Sequence, residues 1–334
     1  MKPIEEIKPL LESPKKVVIT MHQKPDADAM GSSLALFHYL QQKGHQTTVI
    51  SPTNYPDFLK WLPGCDLVVD FESANDKALE AMKQAEILFC LDFNNIDRTK
   101  NMAPVIEKMT AIRILVDHHL EAKPQFDYGV SDTTAAATAQ MIYEMLYKLG
   151  EERYINLAMA ECIYAGTLTD TGSFRFTSTS ARVHRMVADL MDRGLKHEFI
   201  HQAIYDNFLE NRLRFLGNAL LNRMEVFYEC NTAMIAIPYS DLRKFDLQTG
   251  DTEGIVNFLL SIQGIKLAAL IIDRNVEVKL SFRSKGGFDV NTFARRYFDG
   301  GGHFNAAGGR SGDPLDKTIQ RFIDAMHDNE DLLQ

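Results

Sequence analysis

The chain has 334 residues, 45% hydrophobic and 24% charged, with a formal net charge of -9. That length exceeds one ordinary domain and predicts two, each with its own core. The negative balance excludes a surface built to grip long nucleic acid nonspecifically, since that affinity comes from many Lys and Arg contacts, but it leaves a short anionic substrate open. Met1-Lys2-Pro3-Ile4-Glu5-Glu6-Ile7-Lys8 has no apolar core, and charges break every later apolar run well before membrane-spanning length, so neither signal peptide nor membrane anchor is expected. Cys65, Cys90, Cys162 and Cys230 are far apart and lie mostly in apolar contexts, which predicts core thiols and a cytoplasmic protein.

Lys16 to Met21 reads as a buried strand and Asp28 to Gly44 as a helix, with Thr47 to Ser51 as the next strand. Leu67 to Phe71, Ile87 to Leu91 and Ile112 to Val116 are further short apolar runs, with helices near Ala74 to Gln84 and Met102 to Met109. Strands alternating with helices predict a parallel α/β sheet covered on both faces. The chain then becomes mostly helical, from Thr134 to Lys148, Arg153 to Asp170, Ser178 to Gly194, Lys196 to Asp206 and Glu210 to Arg223. A second, smaller α/β unit follows. Its expected strands are Val226 to Tyr228, Ala233 to Ile237, Leu267 to Ile272 and Val276 to Phe282, and its helices lie near Glu253 to Ser261, Val290 to Phe298 and beyond Leu315. The expected division is 1–195, a helical linker 196–223, and 224–334, with the active site in the cleft between the two domains.

Three strands of the first part end on polar groups. Val17 to Met21 leads into His22-x-x-x-Asp26-x-Asp28, Ile87 to Leu91 into Asp92, and Ile112 to Val116 into Asp117-His118-His119. The helix ending near Leu168 leads into Asp170. In an open parallel sheet, ligands bind beyond the carboxyl ends of the strands. Each group alone has a bland alternative, with Asp28 capping a helix, Asp26 solvated, and Asp92 and Asp170 at a strand end or turn. Together they supply a mixed oxygen and nitrogen set that suits manganese, with magnesium or cobalt as substitutes. Two such ions about 4 Å apart would clamp the attacking and leaving oxygens of a phosphoryl displacement.

These motifs resemble those of the DHH phosphoesterase family, whose name is the triplet Asp117-His118-His119. His22 to Asp28 matches the first family motif, Leu91-Asp92 the second, and Leu168-Thr169-Asp170-Thr171-Gly172 the fourth, all in family order. The resemblance implies one metal held by His22, Asp26 and Asp92, and a second by Asp28, His118, Asp170 and a bridging Asp92. It makes Asp117 and His119 catalytic, with His119 against the scissile phosphate or the leaving group.

Val278-Lys279-Leu280-Ser281-Phe282-Arg283-Ser284, followed by Gly300-Gly301-Gly302-His303, resembles the DHH-associated carboxyl-terminal domain. There Arg283 can hold phosphate bidentately and a glycine run can form an anion-binding nest, a flexible hairpin or linker being the alternative. The implied substrate contacts are Arg283, Ser284, Gly301, Gly302 and His303. The whole chain resembles the nano-RNase and 3′-phosphoadenosine 5′-phosphate (pAp) phosphatase group. This implies two Mn2+ ions, short oligoribonucleotides or pAp as substrates, and no partnership with membranes or long nucleic acid. A homodimer is compatible with this reading. The alternatives are a soluble cyclic-dinucleotide phosphodiesterase acting on c-di-AMP or pApA, and a noncatalytic nucleotide-binding protein.

Overall fold

The structure, a computed structural model, describes residues 1–206, 209–247 and 250–334. Two compact units divide the chain, Met1–Asn207 and Phe208–Gln334. The first is organised by β1 (Lys2–Pro3), β2 (Lys16–Thr20), β3 (Gln46–Ser51), β4 (Val69–Asp70), β5 (Ile87–Leu91), β6 (Ile112–Asp117) and β7 (Tyr128–Ser131). They form one sheet in the order β1-β7-β6-β5-β2-β3-β4, and every neighbouring pair is parallel.

Successive side chains of a strand point to opposite faces, and here both faces are apolar. Val17, Ile19, Phe89, Leu91, Ile114 and Val116 join one core with helices α1 (Ala27–Gln42), α4 (Thr138–Leu149) and α5 (Leu157–Asp170). Val18, Leu88, Cys90 and Leu115 join the other, under α2 (Asn75–Gln84) and α3 (Ala103–Lys108). The four cysteines are buried and free. Trp61 packs on this unit's core, its ring edge-on to Phe199 at 5.6 Å.

Some boundaries differ from expectation for local reasons. The strand expected over 67–71 shrinks to Val69–Asp70, because residues 65–67 wind into a single 3-10 turn that leaves Leu67 exposed. The helix expected from Thr134 begins at Thr138. Asp132 Oδ1 accepts hydrogen bonds from the Thr134 amide and hydroxyl, and Ala137 is extended, so this stretch is a turn. Strand β7 was not expected, because four residues that include Gly129 carry no periodic signal.

Beyond α5 come α6 (Ala181–Asp192) and α7 (His197–Tyr205), then α8 (Glu210–Asn222). The expected linker 196–223 is therefore largely helical, with α7 in the first unit and α8 in the second, while its residues 207 and 208 lie outside the described residues. The second unit carries β8 (Met224–Phe227), β9 (Thr232–Ile237), β10 (Leu267–Asp273), β11 (Val278–Ser284), β12 (Gly301–His303) and β13 (Ala306–Ser311). Their order is β12-β13-β11-β10-β9-β8, antiparallel except for β9 with β10. Helices α9 (Tyr239–Lys244), α10 (Ile255–Leu259), α11 (Val290–Tyr297), α12 (Leu315–His327) and α13 (Glu330–Leu333) complete it. Residues of α8 and α10 share one core with the sheet, and residues of α11 and α12 the other. Among the described residues no helix is long and apolar enough to cross a membrane.

Helices α1 and α5 pack closely against each other. A Cβ placed on Gly31 would stand 2.4 Å from the carbonyl oxygen of Cys162, and one on Gly166 2.8 Å from Asp28 Oδ1. Gly31→Ala is thus expected to force the helices apart and lower stability by about 1–3 kcal/mol, read as a lower urea midpoint at unchanged slope.

Candidate metal centre

The carboxyl ends of β2, β5 and β6 lie side by side in the sheet, with β5 and β3 flanking β2, so the chain leaves β2 in one direction and returns on its other side. Such a reversal opens a crevice at the strand ends. His22 stands just past β2, and its Nδ1 lies 2.8 Å from the Gln23 carbonyl. A carbonyl only accepts, so Nδ1 carries the proton and Nε2 faces Asp26 Oδ2 at 3.6 Å and Asp92 Oδ2 at 3.4 Å. Asp26 Oδ1 caps α1, accepting from the amides of Asp28 and Ala29 at 3.0 Å each. Asp26, and not Asp28, is therefore the cap.

Asp28 is fully buried and reaches across to the amino terminus of α4. Its Oδ2 accepts from the Thr138 amide at 2.6 Å and its Oδ1 from the Ala139 amide at 2.8 Å. Asp92 follows β5 in a left-handed backbone conformation with φ of 63°, which aspartate tolerates better than most residues. Its two oxygens face different neighbours. Oδ2 meets His22, while Oδ1 lies 3.5 Å from His118 Nε2 and accepts from the Thr138 hydroxyl at 2.9 Å.

His118 repeats the arrangement of His22. Its Nδ1 lies 3.3 Å from the Ala135 carbonyl, and Nε2 faces Asp28 Oδ2 at 3.8 Å, Asp92 Oδ1 at 3.5 Å and Asp170 Oδ2 at 3.4 Å. His119 Nδ1 donates to Asp117 Oδ1 at 2.8 Å, and Asp117 is fully buried. The structure thus brings together His22, Asp26, Asp28, Asp92, Asp117, His118, His119 and Asp170. The ligand atoms of His22, Asp26 and Asp92, and those of Asp28, Asp92 and His118, each lie within 4.8 Å of one another. Asp92 belongs to both groups.

So dense a set of buried acids needs positive charge. Burial pushes the Asp28 and Asp170 carboxyls well above the usual range, and the neighbouring Asp92 carboxylate adds to both. Burial also works against ionising Asp92, but hydrogen bonds from His118 and His22 hold it well below that range. Against the same burial, Asp26 and Asp92 push His22 up to about 10, and Asp92 raises His118 well above its ordinary value. Protonated imidazoles supply here the charge that divalent cations would, and the oxygen and nitrogen donors suit such cations.

Thr138 belongs to this centre and was missed in the sequence. Its amide serves Asp28 and its hydroxyl serves Asp92, yet Thr133-Thr134-Ala135-Ala136-Ala137-Thr138 reads only as the start of a helix.

The residues expected to bind substrate lie in the second unit. Arg283 is on β11, with Nη1 donating to the Phe282 carbonyl at 2.9 Å. In register, Arg283 and His303 both pair with Ala306, so they share one face of the sheet two strands apart. The glycine run is not the open nest that was expected. Gly301–His303 is strand β12, and Gly302, at φ of 156°, has its amide donating to Asn291 Oδ1 at 2.9 Å. A Cβ there would stand 2.5 Å from the Ala306 carbonyl oxygen, so strand pairing requires the glycine. The Ser284 hydroxyl is also engaged, donating to the Phe288 carbonyl at 2.7 Å and accepting from Asn305 Nδ2 at 2.9 Å.

A parallel α/β sheet whose carboxyl edge gathers acids and imidazoles is the class of protein that this geometry defines. The DHH family N-terminal domain matches residues 16–167 and the DHHA1 domain residues 232–329. Proteins named bifunctional oligoribonuclease and PAP phosphatase NrnA are 28% identical in both Thermus thermophilus and Bacillus subtilis. The former match covers 98% of this chain and 94% of the relative, the latter 87% and 88%. The crystal structure of an exopolyphosphatase-related protein from Bacteroides fragilis is 32% identical, covers 99% of this chain and 97% of its own, and superposes with a TM-score of 0.95. The chain belongs to the DHH family.

Thr138→Val keeps the backbone amide and removes the hydroxyl that Asp92 accepts. The expected cost is about 1–2 kcal/mol, seen as roughly tenfold weaker binding of Mn2+ by calorimetry and restored by Thr138→Ser. Because His22 and His118 hold protons when no cation is bound, Mn2+ affinity should rise with pH and binding should release protons. Calorimetry in buffers of different ionisation enthalpy measures that release.

Proposed function

We propose that this protein is a manganese-dependent phosphoesterase that cuts very short oligoribonucleotides to mononucleotides and removes the 3′-phosphate of pAp. The observation that carries the reading is the Asp92 carboxylate, with one oxygen turned to His22 and the other to His118. The choice of substrate rests on likeness along most of the chain to two relatives named for these activities.

In this reading His22, Asp26 and Asp92 hold one cation, and Asp28, Asp92, His118 and Asp170 hold the second. Manganese suits the donors, with magnesium or cobalt as substitutes. Such a pair supplies positive charge to a bound phosphate and makes water more acidic. The protein's own groups do the rest. The amides at the start of α4 keep Asp28 oriented, the Thr138 hydroxyl orients Asp92, and Asp117 fixes the His119 ring with its proton on Nδ1. His119 Nε2 is then the ring atom that meets the phosphate, and as an imidazolium it would give its proton to the leaving oxygen.

Residues 1–195 make up the catalytic domain in this proposal, 196–223 the linker and 224–334 the substrate-binding domain. Arg283 grips a phosphate that does not react, and His303 contacts the same group from the shared sheet face. With the Ser284 hydroxyl and the Gly302 amide engaged inside the domain, these two residues and Gly301 set the strand positions of Arg283 and His303 more than they bind the ligand. Binding at a distance from the reacting bond positions the substrate and limits its length.

The test follows a 5′-phosphorylated RNA dinucleotide, pAp, cyclic di-AMP and pyrophosphate side by side with Mn2+ and with chelator. Mononucleotide from the dinucleotide and phosphate from pAp are the expected products. Turnover of cyclic di-AMP alone would move the function to the cyclic-dinucleotide reading, and no turnover would end the enzymatic one. Asp117→Asn should reduce kcat by about 10–100-fold at unchanged metal content, whereas Asp92→Asn should reduce both metal content and turnover. Elemental analysis beside the kinetics separates the two.

A further inference from the structure

The second unit carries another cluster of ligand-type side chains, unrelated to the groups considered so far. Cys230 ends the turn Tyr228–Cys230 before β9, His327 is the last residue of α12, and Glu330 opens α13. Cys230 Sγ lies 3.6 Å from His327 Nδ1, and the ligand atoms of all three residues lie within 4.8 Å of one another. The elements that bear them are tied together by their own hydrogen bonds. Asn231, in a left-handed conformation, donates from Nδ2 to the Leu333 carbonyl at 2.8 Å, and the Thr232 hydroxyl donates to the Cys230 carbonyl at 2.8 Å. Glu330 Oε1 accepts from Gln334 Nε2 at 2.9 Å, which steadies the carboxylate.

We propose that Cys230, His327 and Glu330 form a binding site for a zinc-class cation, which staples the carboxyl-terminal helices to the turn before β9. A zinc ion about 2.3 Å from sulfur and about 2.0 Å from nitrogen, at a tetrahedral angle, sets those two atoms about 3.6 Å apart. The observed separation already has that length. One thiolate and one carboxylate neutralise a divalent ion, and solvent can fill a fourth position because His327 is exposed and Glu330 half-buried. Sulfur makes the site selective, since Mg2+, Mn2+ and Ca2+ prefer all-oxygen or oxygen-rich sets. The site is therefore chemically distinct from the candidate centre of the first unit, whose grouped side chains are carboxylates and imidazoles without sulfur.

A thiol donating to an imidazole has a similar length, so the deciding measurement must detect a metal–sulfur bond. Full-length protein stripped with chelator is titrated with Co2+ and followed by absorption. The expected result, with the centre of the first unit filled beforehand by Mn2+, is a thiolate-to-cobalt band in the near ultraviolet whose final intensity corresponds to one cobalt–sulfur site per chain and which Zn2+ bleaches. Cys230→Ser should abolish the band, while His327→Ala and Glu330→Gln should weaken Co2+ binding roughly tenfold or more. Zn2+ should raise the Tm of the wild type and not of these variants. Absence of the band, its persistence in Cys230→Ser, or its indifference to His327→Ala would overturn the proposal. Should Cys230→Ser fail to fold, the other two variants, at residues open to solvent, still decide.

Discussion

Three carboxylates, Asp28, Asp92 and Asp170, converge on one imidazole nitrogen, His118 Nε2, at 3.8, 3.5 and 3.4 Å. Ionised acids so close together in a protein interior repel one another and lose their hydration, so the cluster persists only if positive charge enters it. Protonated His22 and His118 meet that need in part, and the remaining deficit appears as raised carboxyls at Asp28 and Asp170. Divalent cations would remove the deficit. Much of the first unit's local detail serves to hold this unfavourable charge in place. Examples are the α4 amides on Asp28, the Thr138 hydroxyl on Asp92, the carbonyls of Gln23 and Ala135 on the two imidazoles, and the left-handed backbone at Asp92.

Backbone packing sets the positions of the acids before their side chains do. Asp28 opens α1 and Asp170 closes α5, so the distance between them depends on how those helices cross. The helices cross where Gly31 faces the Cys162 carbonyl and Gly166 faces Asp28, an approach that any side chain at those positions would prevent. Small residues in the middle of two helices thus control the geometry of charges near their ends. The sheet does the same for the other ligands, since parallel registry of β2, β5 and β6 places His22, Asp92 and His118 at one edge.

This division explains what could be read in the sequence. Short, mostly apolar runs that stop at His22, Asp92 and Asp117 announce buried parallel strands with polar tips, and the parallel α/β sheet follows from them. Features that depend on a partner were not legible. Strand β7 exists because Tyr128–Ser131 pairs with Ile114–Asp117, and Thr138 matters because the start of α4 abuts two acids from elsewhere in the chain. In the second unit the glycines after Asp299 suggested an open anion nest. Their actual constraint is pairing with β13, which only the folded sheet reveals.

The same pairing changes what the glycine run of the second unit presents. A nest would recognise phosphate through backbone amides, and any glycine-rich loop could supply it. A closed β12–β13 hairpin, with the Gly302 amide given to Asn291, presents side chains held at fixed strand positions instead. Arg283 and His303 flank Ala306 across β11, β13 and β12, and Ser281 pairs with Gly308, which pairs with Gly301. That row, next to the one that holds Arg283 and His303, carries no bulky side chain. Under the proposed function the glycines permit the strand pairing that places Arg283 and His303, and those two side chains meet the phosphate, so substitutions at the two kinds of position should fail for different physical reasons.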